Sequence, residues 1–400
     1  MRILIIASFI PYPSDSGARI RTWEIAGRMR REHEVVFAFH VRSEEDLARA
    51  EAVRRLGFEV LTGWINRGPR AVWTLACEVL SGGVPLFGLR RSRDLETQLA
   101  RMQAARPFDV VQIEHFELAR YGWLVGAPGK TVRAIVLHDL LSVAYARMAR
   151  VETSLLWRWW REYNAWRLAK YERQLLPGYD ACIVVSAREG AAVRGFTGER
   201  TAVRVLPNCV DFEAKKFLGE PEPGPPALLF VGLFLHPPNV DAARWMVEKI
   251  LPVIRKSHPA CRLYLVGSDP LGSLSALAGK PGVTLTGHVD DLAPYYQQCN
   301  LAVVPLRAGG GTRLKILEAM AYGRAVVSTA VGAEGLEARD GEHLQLADGA
   351  DDFAKAVIEL LGDQALRDRL RRNARTLVEA RYSWDVCAEA HVALYEERRR

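Results

Sequence analysis

The stretch LAVVPLRAGGGTRLKILEAMAYGRAVVST, residues 301–329, joins an apolar run, a glycine-rich loop, a helical pattern and a second apolar run. LAVVPL predicts a buried strand, and the following helix is expected to begin near Arg313 with Thr312 as its cap. Gly323 is expected to end that helix. A strand, a loop and a helix that lead into another strand are the repeating unit of a parallel α/β sheet.

The same alternation of short apolar runs and helical patterns extends along all 400 residues. Examples are RILIIA (2–7) and DVVQIEH (109–115) in the first half and ALLFVG (227–232) in the second. Between the halves, the proline-rich segment EPEPGPP (220–226) predicts a stiff linker. We therefore expect an α/β fold of two doubly wound, Rossmann-like parallel-sheet domains that face a cleft. The expected parts are a domain over 1–215, a linker over 216–226 and a domain over 227–382.

Composition narrows the class of partner. The chain has 54 Lys and Arg against 47 Asp and Glu, a formal charge of +7, which favours an anionic ligand or an anionic membrane surface. No nucleic-acid-binding fingerprint occurs, so we expect no nucleic acid partner. Six scattered cysteines without a CxxC pair or a Cys–His cluster favour a reducing compartment and argue against a zinc site.

Two apolar segments could be mistaken for membrane or export signals. MRILIIASFIPYPS has too short an apolar run for a signal peptide, and we interpret it as a first buried strand. Residues 71–89 contain Glu78, a Gly-Gly pair and a proline, which is a poor composition for a membrane span. We therefore expect a cytoplasmic protein without a transmembrane helix.

The loop and helix start of the opening stretch carry groups that suit a nucleoside diphosphate. Glycines let the backbone approach a phosphate, and free amides at a helix start attract an anion. Arg313 and Lys315 add positive charge, while Glu318 is placed to accept hydrogen bonds from a ribose. The alternative is an ordinary scaffold turn whose basic residues are solvated. The P-loop pattern GxxxxGK[ST] is absent.

Further segments complete a family resemblance: GHVDDLAPYYQQCNLAVVPL before the opening stretch, and PYPSDSGARIRTWEIAGRMRREHEV, VLHD, VVSAREGAAV and VLPNCVDF in the first half. Together they resemble the family 4 glycosyltransferases of GT-B fold across most of the chain. The motifs PYP…G…IR and GGGTRLK are most similar to those of members associated with bacterial exopolysaccharide assembly. The resemblance implies a retaining, metal-independent, hexosyltransferase-like enzyme whose first domain binds the acceptor and whose second binds a nucleotide sugar. It also implies that a last helix, about 383–400, returns to the first domain.

The resemblance carries roles onto individual residues. His138 matches the histidine beside the donor sugar and is the expected catalytic residue. Gly17 matches the first-loop glycine near the donor phosphates, and Gly311 and Thr312 match backbone donors to the diphosphate and sugar. Glu318 matches the glutamate that holds the ribose.

Two positions depart from the family pattern. Gly310 stands where the family has a first glutamate, although we still place it in the donor loop. FVGLFLHPPN lacks the Arg and Lys that usually follow this strand. Our hypothesis is that Arg313 and Lys315 supply that charge.

Three residues of the first half are expected to contact the acceptor. Glu114 and His115 end a predicted parallel strand, so they are placed to bind acceptor or to act as a base; the alternative is that they are loop residues. Arg19 either reaches a phosphate or simply starts the first helix.

A long charged, aromatic helix is expected over roughly 151–175. The segment LLWRWWREYNAWRLAKYERQLL (155–176) sets Trp157, Trp159, Trp160, Tyr163 and Trp166 among basic residues. Such helices can lie in a membrane interface, which fits a lipid-linked acceptor and a peripheral position at the inner face of the membrane. The alternative is a helix whose tryptophans pack into the core of the first domain.

Two other functions remain open at this stage. A nucleotide-sugar epimerase of the same fold would need acid and base carboxylates, and no obvious set is present. A catalytically inactive sugar- or nucleotide-binding partner of a polysaccharide assembly complex is favoured only by Gly310.

Overall fold

The computed structural model describes residues 1–14, 17–65, 91–125, 129–152, 154–269, 271–308 and 314–399. Residues 71–89 and the loop residues Gly310, Gly311, Thr312 and Arg313 lie outside these ranges. The chain divides into two compact units, Met1–Pro207 with Asp385–Arg400, and Asn208–Trp384.

The first unit is built on a seven-stranded parallel sheet with the order β3-β2-β1-β4-β5-β6-β7. Its strands are short apolar runs because both faces of the sheet are covered; β1, for example, is buried at every position. The strands are β1 Arg2–Ala7, β2 Glu34–Val41, β3 Glu59–Trp64, β4 Val110–Glu114, β5 Val132–Leu137, β6 Ala181–Val184 and β7 Ala202–Val205.

Helices connect these strands. In the described part of this unit they are α1 Gly17–Met29, α2 Glu44–Arg55, α3 Arg93–Ala105, α4 Tyr121–Val125, α5 Leu141–Val151, α6 Leu155–Leu175 and α7 Ala187–Thr197. The sequence suggested one long helix over about 151–175, whereas the structure has a break between α5 and α6. The last helix, α14 Trp384–Arg399, packs on this unit as expected: Asp385 pairs with Arg31 at 2.8 Å, and Arg399 with Asp109 at 2.7 Å.

The second unit has a six-stranded parallel sheet with the order β10-β9-β8-β11-β12-β13. Its strands are β8 Ala227–Val231, β9 Arg262–Val266, β10 Val283–Gly287, β11 Leu301–Val304, β12 Ala325–Ser328 and β13 Gln345–Leu346. Its described helices are α8 Pro237–Trp245, α9 Leu251–Ser257, α10 Ala293–Gln298, α11 Leu314–Ala321, α12 Ala350–Gly362 and α13 Gln364–Arg381, with a π-helical turn at Met246–Ile250 between α8 and α9. The expected fold of two parallel-sheet α/β domains is confirmed.

The opening stretch folds as its pattern predicts, from β11 through α11 to β12. Gly323 has a φ of 71° just past α11, and its amide donates to the Met320 carbonyl at 3.0 Å. A Cβ at this position would lie 2.5 Å from the ring of Phe217. Both the left-handed backbone and the close ring require glycine here.

The segment between the two sheets, residues 208–226, is held to the second unit by hydrogen bonds. Three arginine side chains of that unit donate to its carbonyl oxygens: Arg371 to Leu218 at 2.6 Å, Arg375 to Lys215 at 2.8 Å and Arg324 to Gly219 at 2.7 Å. Arg371 and Arg367 also pair with Glu220. The two units therefore divide at Pro207, earlier in the chain than the linker expected at 216–226.

Two expectations from composition can be compared with the described residues. The five cysteines among them are unpaired and buried, as expected of small core residues. Within the same residues, no helix combines the length and the apolar character that a membrane span requires.

Candidate functional site

The carboxyl ends of β4 and β5 bring three of the sequence-predicted site residues together. Glu114 is the last residue of β4, His115 follows it, and His138 directly follows β5. The two strands are neighbours in parallel register, so their ends meet at one edge of the sheet. The Nε2 atom of His138 lies 2.6 Å from Oε2 of Glu114.

This pair is shielded from solvent. The His138 side chain is 10% exposed and the Glu114 side chain only 2%. Burial by itself would raise the pKa of Glu114, but the hydrogen bond and the charge of His138 outweigh it and lower the pKa to about 2. Glu114 is therefore an ionised carboxylate beneath the imidazole.

His115 forms the other wall around His138. Its ring stacks on the His138 ring with centroids 4.4 Å apart and an interplanar angle of 23°. The ring of Phe9 meets His115 edge-on at 5.1 Å. Burial and the neighbouring His138 lower the pKa of His115, which favours its neutral form. His115 has a φ of 80°, a backbone conformation that non-glycine residues seldom adopt, and such strain is most often found at functional sites.

Gly17 and Arg19 lie in the first turn of α1, which follows β1 in the chain. Residues 15 and 16, which precede Gly17, lie outside the described ranges. The structure thus places both residues at the start of this helix.

The second unit positions Lys315 and Glu318 on α11. The Nζ atom of Lys315 donates to Oδ1 of Asn239 at 2.8 Å and lies 4.6 Å from the ring centroid of Phe230 in β8. A Cβ added to Gly232 would lie 3.3 Å from the same Nζ atom. Lys315 therefore reaches the carboxyl end of β8, next to the FVG segment that lacks basic residues of its own.

Glu318 pairs with a residue that sequence reasoning missed. Its Oε1 atom lies 3.0 Å from Nζ of Lys215, and Lys215 also lies 5.1 Å from the ring centroid of Tyr322. Burial lowers the pKa of Lys215, but attraction to Glu318 outweighs it and the net pKa is raised. Lys315 and Glu318 share the helix but reach different partners.

The aromatic residues of α6 face outward. Trp159 is 62% exposed and Trp166 64%, and Tyr163 stacks between them with ring centroids 5.6 and 6.3 Å away. The opposite face, which includes Ala165 and Leu168, is buried. The alternative of tryptophans packed into the core is therefore wrong for this helix.

Gln112 and Tyr395 are further residues near the carboxyl end of β4 that sequence reasoning missed. The Tyr395 hydroxyl donates to Oε1 of Gln112, and Gln112 donates to Glu114. No local signal could have identified Tyr395, because 283 positions of chain separate it from Gln112.

Two family models match this chain, and together they cover most of it. One, described as a glycosyl transferase 4-like domain, matches residues 16–209; the other, described as glycosyl transferases group 1, matches residues 225–363. Their boundary agrees with the division into two units.

Curated relatives match over part of their length. The chain is 28% identical over 163 residues to an uncharacterized 44.6 kDa protein in the cps region of Klebsiella pneumoniae, covering 39% of this chain and 42% of that one. It is 30% identical over 205 residues to the phosphatidyl-myo-inositol mannosyltransferase of Mycobacterium tuberculosis, covering 48% and 53%. These matches thus span about half the length of each relative.

The fold has counterparts among solved structures. HepE of Anabaena in complex with UDP-glucose is similar with a TM-score of 0.70 and 15% sequence identity, over 99% of this chain and 100% of that one. The GT-B architecture expected from the resemblance is therefore confirmed. The first half matches the glycosyl transferase 4-like domain, the second half matches the group 1 glycosyl transferases, and the architecture is GT-B. The chain therefore belongs to the family 4 glycosyltransferases of GT-B fold.

Proposed function

We propose that this protein is a retaining glycosyltransferase that moves a sugar from a nucleoside-diphosphate sugar to an acceptor hydroxyl. The observation that carries the proposal is the arrangement on α11, where Lys315 reaches the carboxyl end of β8 while Glu318, one turn further, pairs with Lys215. Ligands of parallel α/β sheets bind at this end of the strands. In this proposal Lys315 neutralises the diphosphate and Glu318 accepts hydrogen bonds from the ribose.

The chemistry requires these groups because the bond from sugar to diphosphate breaks in an oxocarbenium-like transition state. Negative charge then builds on the leaving diphosphate, and fixed cations and helix-start amides stabilise it. Lys315, together with Arg313 in the proposed donor loop, supplies that charge, so we propose that no metal ion is required. Full activity after treatment with a chelator is the expected result.

The first unit contributes His138 in this proposal. A histidine at the carboxyl end of a strand, held by an ionised carboxylate, presents a defined nitrogen to a sugar hydroxyl. Gly17, Arg19 and His115 are proposed to serve the donor phosphates and the acceptor around it. The proposal gains support from HepE, whose solved complexes contain UDP or UDP-glucose.

The acceptor is proposed to be a lipid-linked or polysaccharide precursor glycan. The relative in a cps region and the phosphatidyl-myo-inositol mannosyltransferase support this class. The outward aromatic face of α6 supports a peripheral position on an anionic membrane surface at the inner face of the membrane. Tryptophan and tyrosine favour the bilayer interface, and five basic residues against two acidic ones in Leu155–Leu175 favour anionic lipid.

Vesicle flotation tests the membrane part of the proposal. The wild type is expected to float with anionic vesicles at low salt and to be released at high salt. Replacement of Trp159, Tyr163 and Trp166 by Ala should abolish flotation, whereas Leu271→Ala, which removes a 71% exposed side chain elsewhere, should not. Failure of the wild type to float at low salt would end the membrane proposal.

A thermal-shift panel with UDP, GDP, ADP and dTDP tests the donor part. A ligand that binds only the folded state raises Tm by mass action. One of the four nucleotides is expected to raise the Tm of the wild type. The matching nucleotide sugar is then incubated with the protein without acceptor. Slow hydrolysis would indicate an enzyme, and no hydrolysis would indicate an inactive binding partner. Stabilisation by none of the four would count against the donor site.

A further inference from the structure

A chain of buried polar side chains connects the last helix to His138. The Tyr395 hydroxyl on α14 donates to Oε1 of Gln112, Nε2 of Gln112 donates to Oε1 of Glu114, and His138 meets the other oxygen of Glu114 at 2.6 Å. Tyr395, Gln112 and Glu114 are each at most 1% exposed. We call this chain of side chains, from Tyr395 through Gln112 and Glu114 to His138, the relay. It runs through the interior of the first unit.

The sequence of β4 explains the direction of this relay. Side chains two apart on a strand point to the same face, so Gln112 and Glu114 share one face. The alternate residues Val111 and Ile113 are fully buried apolar side chains on the other face. One face of the strand therefore serves only packing, while the other carries two adjacent polar groups in a buried setting.

Such a relay is costly unless every member is satisfied. A buried carboxylate without partners would destabilise the fold, and a buried amide or hydroxyl without partners would also cost free energy. Apolar residues of similar size would pack at these positions without that risk. The retained polar groups make sense where the group at the end of the relay must be held in one orientation.

The acceptor character of Glu114 then defines the proton on His138. A carboxylate can only accept hydrogen bonds: Oε1 of Glu114 accepts from Gln112, and Oε2 lies 2.6 Å from Nε2 of His138. The Nε2 atom of His138 must therefore carry the proton. In a neutral imidazole the other nitrogen, Nδ1, is then an acceptor.

We propose that Tyr395, Gln112 and Glu114 are positioning residues that fix the ring orientation and tautomer of His138, so that Nδ1 accepts a hydrogen bond from a substrate hydroxyl. The inference rests on the proposed role of His138 in sugar transfer. It makes α14 a part of the reaction machinery, since its Tyr395 begins the relay. His115, stacked on the ring, holds the same orientation from the side.

Conservative variants separate this role from simple packing. Glu114→Gln keeps the shape but gives the carboxylate position a donor, and kcat is expected to fall on the order of 100-fold with little change in donor KM. Tyr395→Phe removes one hydroxyl and keeps the ring, and it should lower kcat several-fold. It also serves as the milder variant if Glu114→Gln folds poorly.

The matched control is Tyr382→Phe, which deletes another buried hydroxyl. That hydroxyl accepts from the Glu337 amide at 2.8 Å in the second unit, so its loss should cost stability without changing kcat. If Tyr382→Phe lowered kcat as much as Tyr395→Phe, the effect would be one of stability and the positioning proposal would fail.

Nitrogen NMR of ¹⁵N-histidine-labelled protein tests the tautomer without any substrate. His138→Asn identifies the His138 signals, and the wild type is expected to show the proton on Nε2. Glu114→Gln and Tyr395→Phe should redistribute that proton between the two nitrogens, whereas Tyr382→Phe should not. An unchanged tautomer in both relay variants would overturn the inference. Because this readout needs no activity, it is decided separately from the transfer proposal, which fails if the wild type shows no transfer.

Discussion

Nζ of Lys215 lies 3.0 Å from Oε1 of Glu318, which joins the segment after the first sheet to the helix that follows the glycine-rich loop. The two side chains are 22% and 19% exposed, so this is a partly buried pair. Lys215 neutralises the carboxylate without replacing it as an acceptor, because a carboxylate has several lone pairs. Glu318 is therefore both charge-compensated and able to accept further hydrogen bonds.

Glu318→Ala is expected to lose the Tm increase that the cognate nucleotide produces, because the ribose then lacks its acceptor. Lys215→Met should retain most of that increase and lower the stability of the free protein by about 1 kcal/mol. Thermal shift with and without nucleotide measures both effects. A full nucleotide shift in Glu318→Ala would remove this carboxylate from the site.

Lys315→Met is expected to raise the donor KM at least about tenfold, which corresponds to about 1.4 kcal/mol. The donor KM of the variant should also depend less on salt, because a fixed positive charge near the diphosphate is lost. Lys355→Met is the matched control, since Lys355 is 76% exposed and pairs only locally with Asp352 at 3.2 Å. Equal KM values for the two variants would contradict the role of Lys315.

His40 should make stability fall in mild acid. It is buried, its Nε2 atom lies 2.9 Å from the Tyr121 hydroxyl, and burial lowers its pKa to about 4. The unfolded state takes up a proton below about pH 6.5, while the folded state does so only near pH 4. The contribution of His40 is therefore present above about pH 6.5 and falls by up to about 3 kcal/mol as the pH drops to 4.

Urea unfolding of the wild type and His40→Gln between pH 7 and pH 4 measures this effect. The variant is expected to show a flatter dependence of unfolding free energy on pH, by close to one proton. Parallel curves for the two proteins would show that His40 does not titrate in this way.

Arg371→Met is expected to destabilise the second unit by about 3 kcal/mol. Arg371 is 3% exposed, and it donates to the carbonyls of Leu218 and Gly323 while pairing with Glu220. Removing it leaves two carbonyls without their partner and leaves Glu220 paired with Arg367 alone. Its exposed neighbour Arg372, changed to Met, is the control and should lie within about 0.5 kcal/mol of the wild type by urea unfolding.

Local sequence patterns predicted the strands and helices well where the spacing of apolar residues agreed with the positions of helix-ending glycines. β1 has the predicted bounds, and Gly323 ends α11 because its left-handed conformation is a local property of glycine. The break between α5 and α6 was missed, although Ser154, a residue type favoured at helix N-caps, directly precedes α6. The outward face of α6 was hidden, since a helical stripe does not show which side the protein covers.

In the candidate site, too, residues within local motifs could be predicted, whereas their partners from distant segments could not. His138 and Glu318 could be named because the short motifs VLHD and GGGTRLKILE carry the family resemblance. Their partners could not: Lys215, Gln112 and Tyr395 come from other segments and carry no motif.

By itself, the sequence determined the class of fold and the family, because these follow from periodicity, glycine positions and short motifs. Only the tertiary structure decided that Lys315 reaches β8, that Lys215 compensates Glu318, and that Tyr395 closes a relay to His138. The reason is physical: hydrogen bonds and ion pairs depend on distances of about 3 Å, and folding, not sequence order, sets those distances for residues far apart in the chain.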